Sequence, residues 1–177
     1  MQKAHTLLFS CSQSVLAAGI QQNQPGTEQN ASDNITQPVH AVQFEDAWER
    51  KDIEFDADLE DAAYTQADPG LLELVWMNLL SNAVKFTPQG GSITLRQTWA
   101  NGKLYVSVTD TGCGMDEKTI KHIYDKFYQG DTSHSTEGNG LGMVLVKRIL
   151  ELTGAKMQIE NTPGKGSTFT VVLAERK

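Results

Sequence analysis

The sequence is poor in cysteine and in long apolar runs. Its 177 residues include only Cys11 and Cys113, too few and too far apart to indicate a disulfide framework or a zinc site. We therefore expect a reducing, cytoplasmic environment. Because no apolar run approaches the length that spans a bilayer, we predict no membrane segment within this chain.

Basic residues are also in the minority. The chain has 15 Lys and Arg against 22 Asp and Glu, which gives a formal net charge of −7. This acidic balance disfavours a nucleic acid as the main partner, since the phosphate backbone attracts basic surfaces. The apolar fraction of 39% is enough for one globular domain with a core.

The chain divides into two unequal parts. Residues 1–37 combine an amphipathic helical pattern over 3–18 with a linker that is rich in Gln, Asn and Ser. Residues 38–177 alternate between helical and strand patterns. The predicted elements are a helix over 39–50, strands at 53–59, 92–99 and 103–109, helices over 69–86, 117–125 and 141–152, and a hairpin formed by 156–161 and 167–173. This order predicts an α+β two-layer sandwich, a mixed sheet with helices on one face.

The helix over 69–86 carries a polar stripe beside its apolar face. Asn78, Asn82 and Lys85 follow one another at helical spacing. Asparagine oxygens can bind Mg²⁺ that is shared with phosphates, and a lysine can neutralise the same phosphates. The alternative is a solvated helix face. The apolar face predicted to meet the sheet consists of Leu72, Val75, Trp76, Leu79, Ala83 and Phe86.

Three glycine motifs add to this pattern. Residues 110–115 follow a strand, and the Asp110 carboxylate there can accept a hydrogen bond from an amino group such as that of adenine. Its alternative is a plain strand-to-helix turn. Residues 138–142 open a helix, where free N–H groups favour a phosphate. The turn at 164–166 is followed by Thr168, whose hydroxyl could lie near the ligand. No P-loop motif is present in the sequence.

Five motifs in this order resemble those of sensor histidine kinases. They are the N box at 78–88, the G1 box at 110–114, the F box at 123–129, the G2 box at 138–142 and the last glycine motif at 164–169. The resemblance covers residues 38–175 and implies the Bergerat (GHKL) fold shared with gyrase, MutL and heat-shock chaperones. It implies a cytoplasmic location, as a free protein or as the cytoplasmic part of a membrane-bound sensor.

The resemblance also assigns roles to residues. It implies that Asn82 binds Mg²⁺, that Asn78 helps to hold the metal and triphosphate, and that Lys85 contacts phosphate, so these three would carry catalysis. Asp110 would bind the adenine amino group of ATP. The other residues that it places at the nucleotide are Phe86, Gly112, Gly114, Met115, Phe127, Tyr128, Gly138, Gly140, Leu141, Gly142 and Thr168.

Residues 128–140 would form a mobile lid over ATP. Phe127 would anchor the base of this lid, and the small polar residues within it suit a segment that orders on nucleotide binding. Many relatives place an arginine where Gln129 stands in this chain. The resemblance therefore leaves open whether the lid supplies a positive contact to the phosphates.

The expected phosphoacceptor is missing. None of the four histidines is followed by an acidic residue, as the acceptor of a histidine kinase usually is. The chain is thus expected to transfer the γ-phosphate of Mg-ATP to a histidine on a separate dimerisation domain, within a two-component system that includes a response regulator. The alternatives are a GHKL ATPase or serine kinase, whose usual base is replaced here by Asn78, and a non-catalytic ATP-binding regulatory module.

Overall fold

The computed structural model describes residues 49–59, 67–130 and 139–174. Predictions for residues 1–37, for most of the helix over 39–50 and for Gly138 lie outside these ranges. The elements are, in chain order, β1 (Glu54–Leu59), α1 (Pro69–Phe86), β2 (Ser92–Ala100), β3 (Lys103–Asp110), α2 (Glu117–His122), α3 (Gly142–Thr153), β4 (Lys156–Thr162) and β5 (Gly166–Ala174).

The five strands form one mixed sheet in the order β1-β2-β3-β5-β4. β1 runs parallel to β2, and the other neighbouring strands are antiparallel. Buried and half-exposed residues alternate along β3, so one face of the sheet meets the core while the other is wetter. The predicted α+β two-layer architecture is confirmed.

Helix α1 begins and ends where local chemistry requires. The Asp68 carboxylate accepts a hydrogen bond from the Leu71 N–H at 3.0 Å, and a proline occupies the first turn. At the other end, the Thr87 hydroxyl donates to the Ala83 carbonyl at 2.7 Å. These contacts cap both ends of the helix within one residue of the predicted limits.

Lys51 provides a further contact at the end of α1. Its Nζ donates to the carbonyls of Val84 and Lys85 at 2.8 Å each and to that of Thr87 at 3.0 Å. Backbone carbonyls at a helix C-terminus lack partners within the helix, so an ammonium group there stabilises them. Partial burial lowers the pKa of Lys51. Lys51 therefore fixes the end of α1 from a segment more than 30 residues earlier.

The core lies between the sheet and the helices α1 and α3. Burying each large aliphatic side chain of this core contributes about 1.5–3 kcal/mol. Its most buried members are Val75 and Leu79 of α1, Val146 and Ile149 of α3, and Ile93, Leu104, Val106, Val108 and Val171 of the sheet.

Phe86 departs from the predicted core face of α1. The other five predicted residues are buried, whereas Phe86 is 46% exposed and its ring lies 5.2 Å from the Lys85 Nζ. The helical period places Phe86 on the correct stripe. It is the last residue of the helix, however, and its backbone is the part that closely approaches Gly112. The core prediction is therefore wrong for Phe86.

Candidate functional site

Asp110 ends the core-facing row of β3. Its side chain is only 7% exposed, and its Oδ1 accepts a hydrogen bond from the Gly112 N–H at 2.8 Å. Burial raises the pKa of Asp110, while hydrogen bonds from the backbone N–H groups of Gly112 and Ser167 act in the opposite direction. A buried carboxylate with remaining acceptor capacity can bind a ligand amino group specifically.

The loop that follows β3, residues 111–116, is pressed against its surroundings by backbone contacts. A Cβ on Gly112 would lie 2.7 Å from the Phe86 carbonyl oxygen, and a Cβ on Gly114 would collide with the Thr162 carbonyl. Gly114 also has a φ of +65°, in the left-handed region. Both positions therefore require glycine, because the loop lies directly on neighbouring backbone.

Asn161, at the end of β4, holds the far side of this loop. Its Oδ1 accepts from the Met115 N–H at 2.7 Å, and its Nδ2 donates to the Met115 carbonyl, also at 2.7 Å. No sequence motif indicates a role for Asn161. A polar residue at the end of a predicted strand was the sole available signal, because its partner lies 46 residues away.

Ser167, rather than Thr168, shares the face of Asp110. Asp110 is paired across the sheet with Ser167, and Thr109 with Thr168. Directly opposite residues in a sheet share a face, and successive residues alternate. The Thr168 hydroxyl lies 3.0 Å from that of Thr109, on the face opposite to Asp110, and its place near the ligand remains a prediction. The strand alternation itself could have identified Ser167.

We call the group of Asp110, residues 111–116, Asn161 and Ser167 the Asp110 end of the site. We call the group of Asn78, Asn82, Lys85 and the start of α3 the Asn82 end. Both ends meet α1. Its last residue, Phe86, contacts Gly112, and its polar stripe lies beside α3.

The polar stripe of α1 meets the glycine motif that opens α3. The Asn78 Nδ2 donates to the Leu74 carbonyl at 2.6 Å, which orients the amide. A Cβ on Gly142 would lie 2.6 Å from the Asn78 Oδ1, so glycine permits this approach. Leu141, the N-cap of α3, makes no side-chain hydrogen bond to the first turn. The first N–H groups of α3 are thus suited to an anion beside Asn78.

Asn82 and Lys85 continue this stripe along α1, and both are partly buried. No group of three or more His, Cys, Asp or Glu side chains that could hold a metal occurs within the described ranges. A cation here would depend on the amide oxygens of Asn78 and Asn82 and on a phosphate ligand, a donor set that suits Mg²⁺.

Backbone contacts join the two ends of the predicted lid. The Phe127 N–H donates to the Gly140 carbonyl at 3.2 Å, and Gly140, with a φ of +66°, leaves no room for a Cβ against the Phe127 backbone. The Phe127 ring is 72% exposed. Tyr128 is partly buried, and its ring lies 5.3 Å from that of His122. Phe127 therefore joins the two sides of the lid base through its backbone rather than its ring.

Comparisons with known proteins identify the family and match the fold. The family model described as "Histidine kinase-, DNA gyrase B-, and HSP90-like ATPase" matches residues 67–177. The circadian input-output histidine kinase CikA of Synechococcus elongatus is 46% identical over 114 residues, which cover 63% of this chain and 15% of that protein. The catalytic domain of histidine kinase ThkA is 26% identical with a TM-score of 0.65, covering 77% of this chain and 88% of that one.

ThkA has also been solved in complex with the response regulator protein TrrA. That structure is 25% identical to this chain with a TM-score of 0.62, and the match covers 77% of this chain and 38% of that one. The protein belongs to the histidine kinase-, DNA gyrase B- and HSP90-like ATPase family, and it carries the catalytic ATPase domain found in sensor histidine kinases. It spans a small fraction of the length of its curated relatives, 15% for CikA. Among the described residues, no helix is long and apolar enough to cross a membrane.

Proposed function

We propose that this chain binds Mg-ATP and transfers the γ-phosphate to a histidine on a separate dimerisation domain, as the catalytic part of a two-component sensor histidine kinase. The observation that carries the proposal is the approach of Asn78 to Gly142 at the start of α3. It joins the polar stripe of α1 to a helix N-terminus, while Asp110 lies buried at the end of the sheet. One nucleotide can use both ends.

At the Asp110 end, the carboxylate accepts a hydrogen bond from the adenine amino group. The Gly112 N–H holds the carboxylate in place, and Gly112 and Gly114 let the loop lie flat beside the base. Met115, the next residue of the loop, also lies beside the base. Since the carboxylate is buried, a base that offers a carbonyl in place of the amino group would face an unpaired acceptor, which is costly.

At the Asn82 end, Asn82 holds Mg²⁺ through its amide oxygen, with Asn78 helping to hold the metal and triphosphate. The metal, when bound, neutralises charge on the phosphates. Lys85 adds a positive charge, and the backbone N–H groups from Gly142 onwards donate hydrogen bonds to the phosphate oxygens. Phosphoryl transfer asks the protein mainly for positioning and charge stabilisation, which these groups supply. Phe86, the lid residues Tyr128, Gly138 and Gly140, and the adjacent Leu141 would border the nucleotide.

The nucleophile is an imidazole that another domain delivers. His122 is the only histidine within the described residues, and its Nδ1 lies 2.7 Å from the Asp125 carboxylate. It is followed by Ile123 rather than by the acidic residue that an acceptor motif usually has. The phosphorylated domain would then pass the phosphate to a response regulator, the class of partner with which ThkA was solved.

The alternative functions differ from a histidine kinase in whether a catalytic base is present and in whether phosphate is transferred. A GHKL ATPase or serine kinase usually carries a glutamate base at the position of Asn78, and an amide cannot accept a proton from water. A non-catalytic ATP-binding regulatory module would bind nucleotide without transfer. The intact set of motifs and their convergence in the fold favour the kinase.

The test is transfer of label from γ-labelled Mg-ATP to a supplied histidine-kinase dimerisation domain. We expect acid-labile, base-stable label on that domain, lost in Asn82→Ala and kept in Gln158→Ala, an exposed amide on β4. Acid-stable label would identify a serine or threonine kinase. Steady ATP hydrolysis without the added domain would favour an ATPase, and binding with no transfer to any dimerisation domain would favour the regulatory module.

A further inference from the structure

The Asn161 side chain makes an unusual pair of contacts. Its amide both accepts a hydrogen bond from and donates one to the backbone of Met115. One side chain thus makes the two hydrogen bonds that a residue of a neighbouring strand would make. The Ser167 hydroxyl donates to the same Asn161 Oδ1 at 3.0 Å. The amide is therefore satisfied on both atoms and fixed in orientation.

These contacts belong to a row that crosses three strands. Asn161 is paired with Ser167 in the β4–β5 ladder, and Ser167 with Asp110 in the β3–β5 ladder. The Ser167 N–H donates to the Asp110 carboxylate, while the Ser167 hydroxyl donates to Asn161. The position of Asn161 is thus transmitted to Asp110 through one intervening residue.

The loop itself connects Asn161 to Asp110 by a second route. Met115, held by Asn161, is three residues from Gly112, whose N–H donates to Asp110 at 2.8 Å. Between them, the Gly164 N–H donates to the Cys113 carbonyl at 2.7 Å. The loop is therefore fixed at its middle by the β4–β5 turn and at its far end by Asn161.

We propose that Asn161 is a positioning residue that sets the selectivity of the site for adenine over bases without the amino group. The inference rests on the proposed function, in which Asp110 binds that amino group. Selectivity depends on the direction of the carboxylate as well as on its presence, because hydrogen bonds weaken steeply with misalignment. Asn161 contacts Ser167 directly across the sheet, and it holds Met115, three residues along the loop from Gly112.

The test compares the affinities of the full chain for ADP and for inosine diphosphate, which carries a carbonyl in place of the amino group. We expect Asn161→Ala to weaken ADP binding about tenfold and inosine diphosphate binding less than about twofold, because the lost interaction involves the amino group. The ADP preference of the wild type would therefore largely disappear. Gln158→Ala, which removes an exposed amide from the same strand, should leave both affinities unchanged.

Asn161→Asp serves as a second test in case Asn161→Ala fails to fold. It keeps the size and the acceptor oxygen but loses the donor to the Met115 carbonyl, so the ADP preference should fall by a smaller factor. An equal loss of both affinities, or an unchanged ratio in a folded variant, would overturn the role of Asn161 while leaving that of Asp110 intact. A wild type that binds both nucleotides equally would instead overturn adenine recognition by Asp110, and this inference with it.

Discussion

The two ends of the candidate site consist of different kinds of chemical groups. The Asp110 end consists of a buried carboxylate, backbone contacts that only glycine permits, and the amide of Asn161. The Asn82 end consists of partly buried side chains on one helix face and the first turn of another helix. The first is held by backbone contacts within the fold, whereas the second presents partly buried polar side chains and helix N–H groups to a charged ligand.

This difference predicts where mutations should affect folding and where they should affect binding alone. Changes at the Asp110 end disturb contacts that also hold β3, β4 and β5 together. Changes at the Asn82 end remove polar atoms that the core does not use. The two ends can therefore be separated by measuring stability and nucleotide affinity on the same variants.

The largest effect is expected at Gly166. Its φ is +115°, and a Cβ there would collide with the Asp110 carbonyl, so Gly166→Ala forces β5 away from β3. We expect a loss of more than about 3 kcal/mol in the free energy of unfolding, measured by urea denaturation. Gly164→Ala is the matched control, since its φ is +76° but its Cβ meets nothing. It should cost about 1 kcal/mol. Equal losses would contradict the close approach at Gly166.

The next effect is on binding at Asp110. Asp110→Asn keeps the shape of the side chain but replaces a charged acceptor with an amide, and we expect about a 10- to 100-fold loss of ADP affinity. Calorimetry on the folded variant measures it. An unchanged affinity would exclude Asp110 from adenine recognition.

The same variant has a pH signature. Burial raises the pKa of Asp110 in the folded chain, so above the ordinary carboxyl pKa the folded chain retains a proton that the unfolded chain has lost. The contribution of this group to the free energy of unfolding therefore falls as pH rises through that window. We expect the stability of the wild type, relative to Asp110→Asn, to decrease as pH rises from about 4 towards neutrality. A relative stability that increases over that range would show a lowered pKa instead.

The sequence predicted the elements well because their signals are local. The Asp68-Pro69 pair marks the start of α1. Asn101-Gly102, with φ values of +51° and +68°, forms the tight turn between β2 and β3. Each feature depends only on residues within about four positions in the sequence. It can therefore be recognised without knowledge of the fold.

The parts that the sequence did not predict depend on contacts between distant segments. Asn161 meets Met115 only when β4 lies beside the loop, and Lys51 meets the end of α1 only when β1 and its flanks are in place. The choice between Ser167 and Thr168 depends on strand register, since one residue changes the face. Phe86 is exposed although the helical period places it on the buried stripe of α1.

A smaller effect is expected at the metal-binding position. Asn82→Ala should weaken Mg-ATP binding about tenfold, because it removes an amide oxygen that the proposal assigns to Mg²⁺. ADP binding without Mg²⁺ should change less than about twofold, and the free energy of unfolding by less than about 1 kcal/mol, since Asn82 is outside the core. Equal losses of affinity with and without Mg²⁺ would rule out this metal assignment.

The smallest effect is expected at Lys85. Its Nζ lies 5.2 Å from the exposed Phe86 ring, at the end of α1, where solvent screens its charge. Lys85→Met should therefore weaken ATP binding about threefold at low ionic strength, and the loss should shrink as salt is added. Lys103→Met, an exposed cation at the opposite end of β3 from Asp110, is the matched control and should leave binding unchanged at any salt concentration. A loss in Lys85→Met that persists at high salt would mean that Lys85 makes a desolvated contact with phosphate. The Asn82 end would then be as closely preorganised as the Asp110 end.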